Sequence, residues 1–389
     1  MPPYNISPLL GPILRETRDL SSALNELRWL REHVKEKWEP TSGVKEKTKR
    51  ILQLCQRRAL GVPLQYLLGS QPFGTLDIKC LPGVLIPRPE TEAYTTHLAE
   101  IIKAKYLAPK SPKAAESSPK PFRIIDFCSG SGCISLLLHS LLSKQYSNLE
   151  IIGIDVSPKA LELSKENLQY NGERGLLEKS ALNQVHFEHA NMLREYQRIL
   201  EICKQTCDII ISNPPYISQA AFNKETSRSV RNWEPRLALV PEATKPALSL
   251  LKDSSTEKSH MHPEDIFYRG LIRFHRRLKS KILVMEVGDA AQAMRVVALQ
   301  MAMRRRSEIE IWRDWPDGQK ADDEADHIDI NGHRVDVKGT GTMRAVVLYA
   351  RQPRRQTKEV RVRYVGMKKE LGYDPRKKLR NPSRDSPDL

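Results

Sequence analysis

Apolar positions near the N-terminus recur at close to a helical period. Leu20, Leu24, Leu27, Trp29, Leu30 and Val34 place a helix over residues 7–38, with Ser21 or Ser22 as cap ahead of Glu26. A second helix is expected over 43–60, on Val44, Ile51, Leu52, Leu54 and Leu60, and Gly61 and Pro63 stop it. Residues 72–90 read as a hairpin: Phe73, Leu76 and Ile78, a turn at Leu81-Pro82-Gly83, then Val84, Leu85 and Ile86. A helix carrying Leu98, Ile101 and Ile102 follows.

From residue 122 the period switches repeatedly between that of a strand and that of a helix. Strands are expected at 123–127, 150–155, 184–188, 208–212 and 281–287, with helices at 133–143, 158–170 and about 194–204 between them. A final pair near 308–313 and 344–350 closes the sheet, and 331–350 reads as an antiparallel hairpin at its edge. Alternating β and α units predict a parallel sheet covered by helices, so the chain is α/β. The expected divisions are a helical domain at 1–70, a hairpin linker at 71–92, the sheet domain at 93–352 and a tail at 353–389. Two stretches, 108–121 and 241–264, read as surface insertions. The tail holds twelve Lys or Arg and five acids, a composition that cannot build a core.

Composition narrows the class. At 389 residues, 40% hydrophobic and 28% charged, the chain is ordinary for a globular protein. Its longest apolar stretch, Ile134 to Leu142, is broken by Ser and His and is too short to span a bilayer, so no membrane span is expected. A formal charge of +16 suits an anionic partner, and nucleic-acid contact through the basic tail is one reading; mitochondrial residence is the other. The six cysteines form no C-x-x-C pair and no zinc-spaced set with His, so no metal is expected, and Cys203 and Cys207 read as packing. Residues 1–15 hold one Arg and no acid, a weak presequence.

Three short segments carry candidate chemistry. Asp126-Phe127-Cys128-Ser129-Gly130-Ser131-Gly132 follows a strand and opens a helix, where small residues let a ligand approach backbone N–H groups; a tight turn with no ligand would look the same. Asp155 ends the next strand, placed to accept bonds from two ribose hydroxyls or simply to cap the helix that starts at Pro158. Asn213-Pro214-Pro215-Tyr216 follows the apolar Ile209-Ile210-Ile211. An amide nitrogen is a poor nucleophile because its lone pair is delocalised. Two acceptors, the Asn213 side-chain oxygen and the Pro214 carbonyl, would hold its N–H bonds and stabilise charge as it develops, and Tyr216 would wall the planar group. The bland alternative is a proline turn after a strand.

With these segments the chain resembles the HemK/PrmC peptide-chain-release-factor glutamine methyltransferases. The likeness runs from about residue 20 to 350 and includes Pro63-Leu64-Gln65-Tyr66, Val84 to Glu92 with its Arg-Pro-Glu-Thr-Glu, Glu234 to Leu239 and Glu286-Val287-Gly288. It implies a Rossmann-like class I fold and S-adenosylmethionine as cofactor, contacted by Asp126, Cys128, Ser129, Gly130, Ser131, Gly132, Asp155, Met192 and Asn213. It implies catalysis by Asn213, Pro214 and Tyr216, and substrate contacts from those three with Pro215, Arg88 and Glu90. The implied substrate is the glutamine of the Gly-Gly-Gln loop of a class 1 release factor, gripped by the helical domain; a monomer in mitochondria is expected. Cys128 stands where the family usually has Gly, Asn191 where it has Asp, and Met192 where it often has an aromatic. The Asn-Pro-Pro-Tyr motif is shared with adenine-N6 methyltransferases, so methylation of a nucleic-acid exocyclic amine is the competing function.

Overall fold

In the computed structural model, residues 8–37, 43–107, 120–242, 262–303 and 307–350 are described. Most of the insertions read at 108–121 and 241–264, and the whole tail at 353–389, lie outside them. All described residues belong to one compact unit.

The first helical stretch is two helices, α1 (Leu10–Thr17) and α2 (Leu20–Lys37), and not the continuous one expected over 7–38. Arg18 turns left-handed at φ 56° and donates its N–H to Leu14 O, which closes α1. Asp19, rather than Ser21 or Ser22, caps α2 by accepting from Ser22 N at 2.7 Å. Helix α2 buries Ala23, Leu27, Leu30 and Val34, while Leu20, Leu24 and Trp29 face solvent. It packs with α3 (Val44–Ala59) and the short α4 (Leu64–Leu68) around Ile13, Leu54, Cys55 and Leu67.

The hairpin lies one step earlier than expected. Strands β1 (Ser70–Phe73) and β2 (Leu76–Lys79) pair antiparallel across a turn at Gly74, where φ is +60°. A Cβ there would lie 2.5 Å from Leu137 Cδ1, so Gly lets the turn sit against the helix at Cys133–Leu142. Val84, Leu85 and Ile86, expected as its second strand, instead run into α5 (Pro89–Ile102) without pairing, because α7 (Pro158–Glu173) already satisfies the free edge of β2. Asn171 and Asn167, one turn apart on α7, accept from Asp77 N at 3.0 Å and Lys79 N at 2.7 Å.

Strands β3 (Phe122–Phe127), β4 (Leu149–Asp155), β5 (Val185–His189), β6 (Ile209–Ser212) and β7 (Ile282–Glu286) are parallel. They are followed by β8 (Ser307–Trp315), β9 (His327–Ile330), β10 (His333–Lys338) and β11 (Thr340–Ala350), and the nine-stranded order is β5-β4-β3-β6-β7-β11-β8-β10-β9. Residues 331–350 therefore do not form the edge hairpin expected of them: β9 and β10 make that hairpin, and β11 turns back at Gly339 to insert between β7 and β8. The apolar runs of β3, β6 and β7 are buried on both faces. Helices α6 (Cys133–Leu142) and α7, with α5, cover one face, and α12 (Ile266–Leu278) and α13 (Ala290–Ala302) the other. The short α8 (Ala181–Gln184), α9 (Tyr196–Ile202), α10 (Gln219–Lys224) and α11 (Arg228–Trp233) complete the helices used below.

Chain order runs outward from β3 to β5 in one direction and from β6 to β7 in the other. The direction of winding reverses between β3 and β6, and open α/β sheets bind ligands beyond the carboxyl ends of the strands at such a point.

Candidate active site

A cavity of about 340 Å³ opens at that reversal, within the range typical of ligand sites. It is lined by the loop Cys128 to Ser131 after β3, by Asp155 at the end of β4, by the apolar Met192 and Phe267, and by Asn213 and Pro215 after β6. Val84, Leu85, Ile86 and Arg88, the segment misread as a strand, form the roof.

Local chemistry explains the loop. Gly132 at φ +79° caps α6, and a Cβ there would lie 2.8 Å from Phe187 Cζ. Asp155 ties loop to strand: Oδ2 accepts from Gly130 N and Oδ1 from Ser157 N, both at 2.8 Å. Burial raises the Asp155 pKa despite these bonds. Each oxygen keeps a lone pair beyond the one used, so hydroxyl donors can be accommodated. Ser129 Oγ is buried in the loop with no partner among the described residues, an unusual state for a polar atom unless a ligand completes it. Placed at the N-terminus of α6, these donors and acceptors fit the ribose and carboxylate ends of S-adenosylmethionine.

The structure thus gathers Cys128, Ser129, Gly130, Ser131, Asp155, Met192, Asn213, Pro215 and Arg88 at one cavity. It does not bring Asp126, Gly132, Pro214, Tyr216 or Glu90 to the lining. Asp126 lies wholly buried beneath the loop and accepts from Ser135 Oγ at 2.7 Å; burial pushes its pKa up to about 7. Gly132 is packing. Tyr216 donates to Glu286 Oε1 at 3.1 Å, and its carbonyl accepts from Gln292 Nε2 at 3.2 Å, so the ring is pinned behind the cavity. Glu90 sits in the first turn of α5, where an acid complements the helix dipole. Arg88 pairs with the buried Glu234 at 2.7 Å, and Glu234 also accepts from Ile86 N.

Thr91, Glu234 and Glu286 stand in the sequence only within the resemblance and carry no assigned task there. Thr91 lines the cavity, donates to Glu286 Oε2 at 2.7 Å and accepts from Asn213 Nδ2 at 3.4 Å. The signal available in the sequence was one acid at the end of an apolar strand.

Residues 120–261 match a family model described as a methyltransferase domain. The chain is 32% identical over 305 residues to the probable MRF1 mitochondrial N(5)-glutamine methyltransferase of Schizosaccharomyces pombe, spanning 76% of this chain and 86% of that one. It is 37% identical over 237 residues to the mitochondrial MRF1 N(5)-glutamine methyltransferase of Saccharomyces cerevisiae, spanning 61% and 65% of the two chains. The release factor glutamine methyltransferase of Geobacter sulfurreducens is 33% identical over 186 residues, covering 48% and 52%. Among solved structures, the N-terminal domain of human METTL16 superposes loosely, at 14% identity and a TM-score of 0.41 over 76% of this chain and 81% of that one, too loosely to bear on function. With most of its length aligned to an N(5)-glutamine methyltransferase and its cavity at the sheet's reversal, the chain belongs to the HemK/PrmC family of release factor glutamine methyltransferases.

Proposed function

We propose that the chain transfers a methyl group from S-adenosylmethionine to the side-chain amide nitrogen of the Gly-Gly-Gln glutamine in a class 1 release factor. The single observation that carries the reading is the convergence of Asp155, the Ser129–Ser131 loop and Asn213 on one cavity beneath the Arg88 segment.

The cofactor, when bound, supplies a methyl on a positively charged sulfur. Ser129, Gly130, Ser131 and Asp155 would hold it, with Met192 as the apolar contact in place of an aromatic ring. Asn213 Oδ1 would accept an N–H bond of the glutamine amide, fixing its nitrogen and stabilising positive charge while the C–N bond forms, the methyl's bond to sulfur breaks and one amide proton is released to water. Pro215, buried at the cavity's end, narrows the approach, and Arg88 keeps the roof in place through Glu234. Helices α1 to α4 would grip the rest of the release factor as a separate recognition layer. The two yeast relatives bear mitochondrial in their names, which supports action in mitochondria.

The test is transfer of labelled methyl to purified class 1 release factor and to RNA. Label on the glutamine is expected; label on RNA alone would replace this reading with the nucleic-acid one. Asn213→Ala is expected to lower kcat about a hundredfold while cofactor affinity stays within a few-fold, since the lost acceptor acts chiefly on developing charge. Near-normal turnover would remove Asn213 from the mechanism.

A further inference from the structure

Behind Asn213 lies a buried polar network that the chemistry above does not use. Glu286, at the end of β7, is wholly buried. Its Oε2 accepts from Thr91 Oγ1 at 2.7 Å and from the Tyr94 hydroxyl at 2.8 Å, and its Oε1 accepts from the Tyr216 hydroxyl at 3.1 Å. An ionised carboxylate accepts only, so all three hydroxyl protons point at Glu286. Thr91 Oγ1 is left with lone pairs alone, and Asn213 Nδ2 donates to it at 3.4 Å.

That bond matters because a carboxamide has two chemically opposite ends of nearly equal shape. With Nδ2 engaged, the oxygen is the end left for a ligand, and no described residue donates to it. A flipped Asn213 would set its own NH2 against the substrate's NH2, donor facing donor. Resting on the reading of Asn213 as amide acceptor, we infer that Thr91, itself oriented by Glu286, is a positioning residue that locks the Asn213 carboxamide with its oxygen toward the substrate.

Thr91 is buried on α5, far along the chain from β6, and it joins the Arg-Pro-Glu-Thr-Glu segment to the site. The hydroxyl, not the bulk of the side chain, carries the effect. Thr91→Val keeps the shape and removes the acceptor; Thr91→Ser keeps the acceptor; Thr91→Ala replaces Val should that variant not fold.

Two readouts on the full chain decide it. In the first, hydrogen exchange of the Asn213 side-chain amide is followed by NMR with labelled asparagine, the signal being assigned by its loss in Asn213→Ala. Protection of one amide proton is expected in the wild type and in Thr91→Ser, with about a tenfold loss in Thr91→Val, the worth of one neutral hydrogen bond. In the second, kcat on release factor falls about tenfold in Thr91→Val with the cofactor KM within twofold, Thr91→Ser restores most of it, and Thr91→Val added to Asn213→Ala costs nothing further. Unchanged protection in Thr91→Val, equal losses in Ser and Val, or additive losses in the double variant would each overturn the inference. A wild-type chain inert on release factor would defeat the functional reading instead, and the exchange experiment would still decide Thr91.

Discussion

Cys128 holds φ at 60°, the left-handed region that suits Gly and burdens other residues. This gives a physical reason for the glycine usual at that place in the family. Removing the side chain relieves about 1–2 kcal/mol of strain and gives back about 0.5–1 kcal/mol of chain entropy to the unfolded state. Cys128→Gly is therefore expected to hold or slightly raise stability in urea unfolding, while Cys128→Val loses about 2 kcal/mol, since a β-branched residue tolerates that conformation least. A destabilised Gly variant would refute the strain. Asp126 offers a pH test. Its folded pKa of about 7 lies above the ordinary 3.8, because burial disfavours the charge, with the Ser135 bond opposing. The folded state thus binds the proton more tightly, and this contribution is full below pH 4 and lost as pH rises to about 7. Melting curves from pH 4 to 8 are expected to show the wild type losing ground to Asp126→Asn; parallel curves would contradict the shift.

The segments around the cavity are held by bonds between elements. Arg88, ahead of α5, meets Glu234, just after α11, whose side chain is 1% exposed. Removing one partner of a buried pair strands the other, so Arg88→Ala is expected to cost about 3 kcal/mol. Glu234→Gln on that background should recover part of it in thermal unfolding; no recovery would show that Arg88 acts by packing alone. Strand β4 meets the loop at Gly153, where a Cβ would lie 2.6 Å from Phe187 Cδ1 and 3.0 Å from Ser129 Cβ. Gly153→Ala is expected to weaken cofactor binding about tenfold by displacing Ser129, a shift of roughly 1.4 kcal/mol readable by calorimetry. The same economy appears on α7, where Asn167 serves both hairpin and loop, accepting from Lys79 N and donating to Ser131 O at 3.0 Å.

At the scale of the molecule, the helical layer meets α11 of the sheet domain directly. Ser229 donates to Gly61 O at 2.7 Å, and Trp233 packs on the helical core. Arg58 holds that core's edge through Glu26, with bonds of 2.7 and 3.1 Å. If this layer grips the release factor, Ser229→Ala with Trp233→Ala should raise the KM for the protein substrate severalfold and leave cofactor affinity within twofold. An equal loss of both would mean the contact supports the cavity itself. No described helix is long and apolar enough to cross a membrane.

Much of the architecture was legible in the chain because its signals are local. Apolar runs at strand length, the Gly-bearing loop and Asn213 to Tyr216 placed β3, β4 and β6 and the candidate site residues at their ends. The break at Arg18–Asp19 was missed because a left-handed C-cap on Arg carries no glycine to announce it. The hairpin was displaced because Val84 to Ile86 has a strand's composition, while the edge it would have paired with is taken by two asparagines some ninety residues on. β11 was put at the edge because strand order depends on long-range pairing that periodicity does not record. Tertiary structure alone decided which acids serve as scaffold: Glu234 under Arg88, and Glu286 under Thr91 and two tyrosines. Periodicity follows from each residue's own geometry and neighbours, whereas the partner of a buried charge is set only when distant segments close around it.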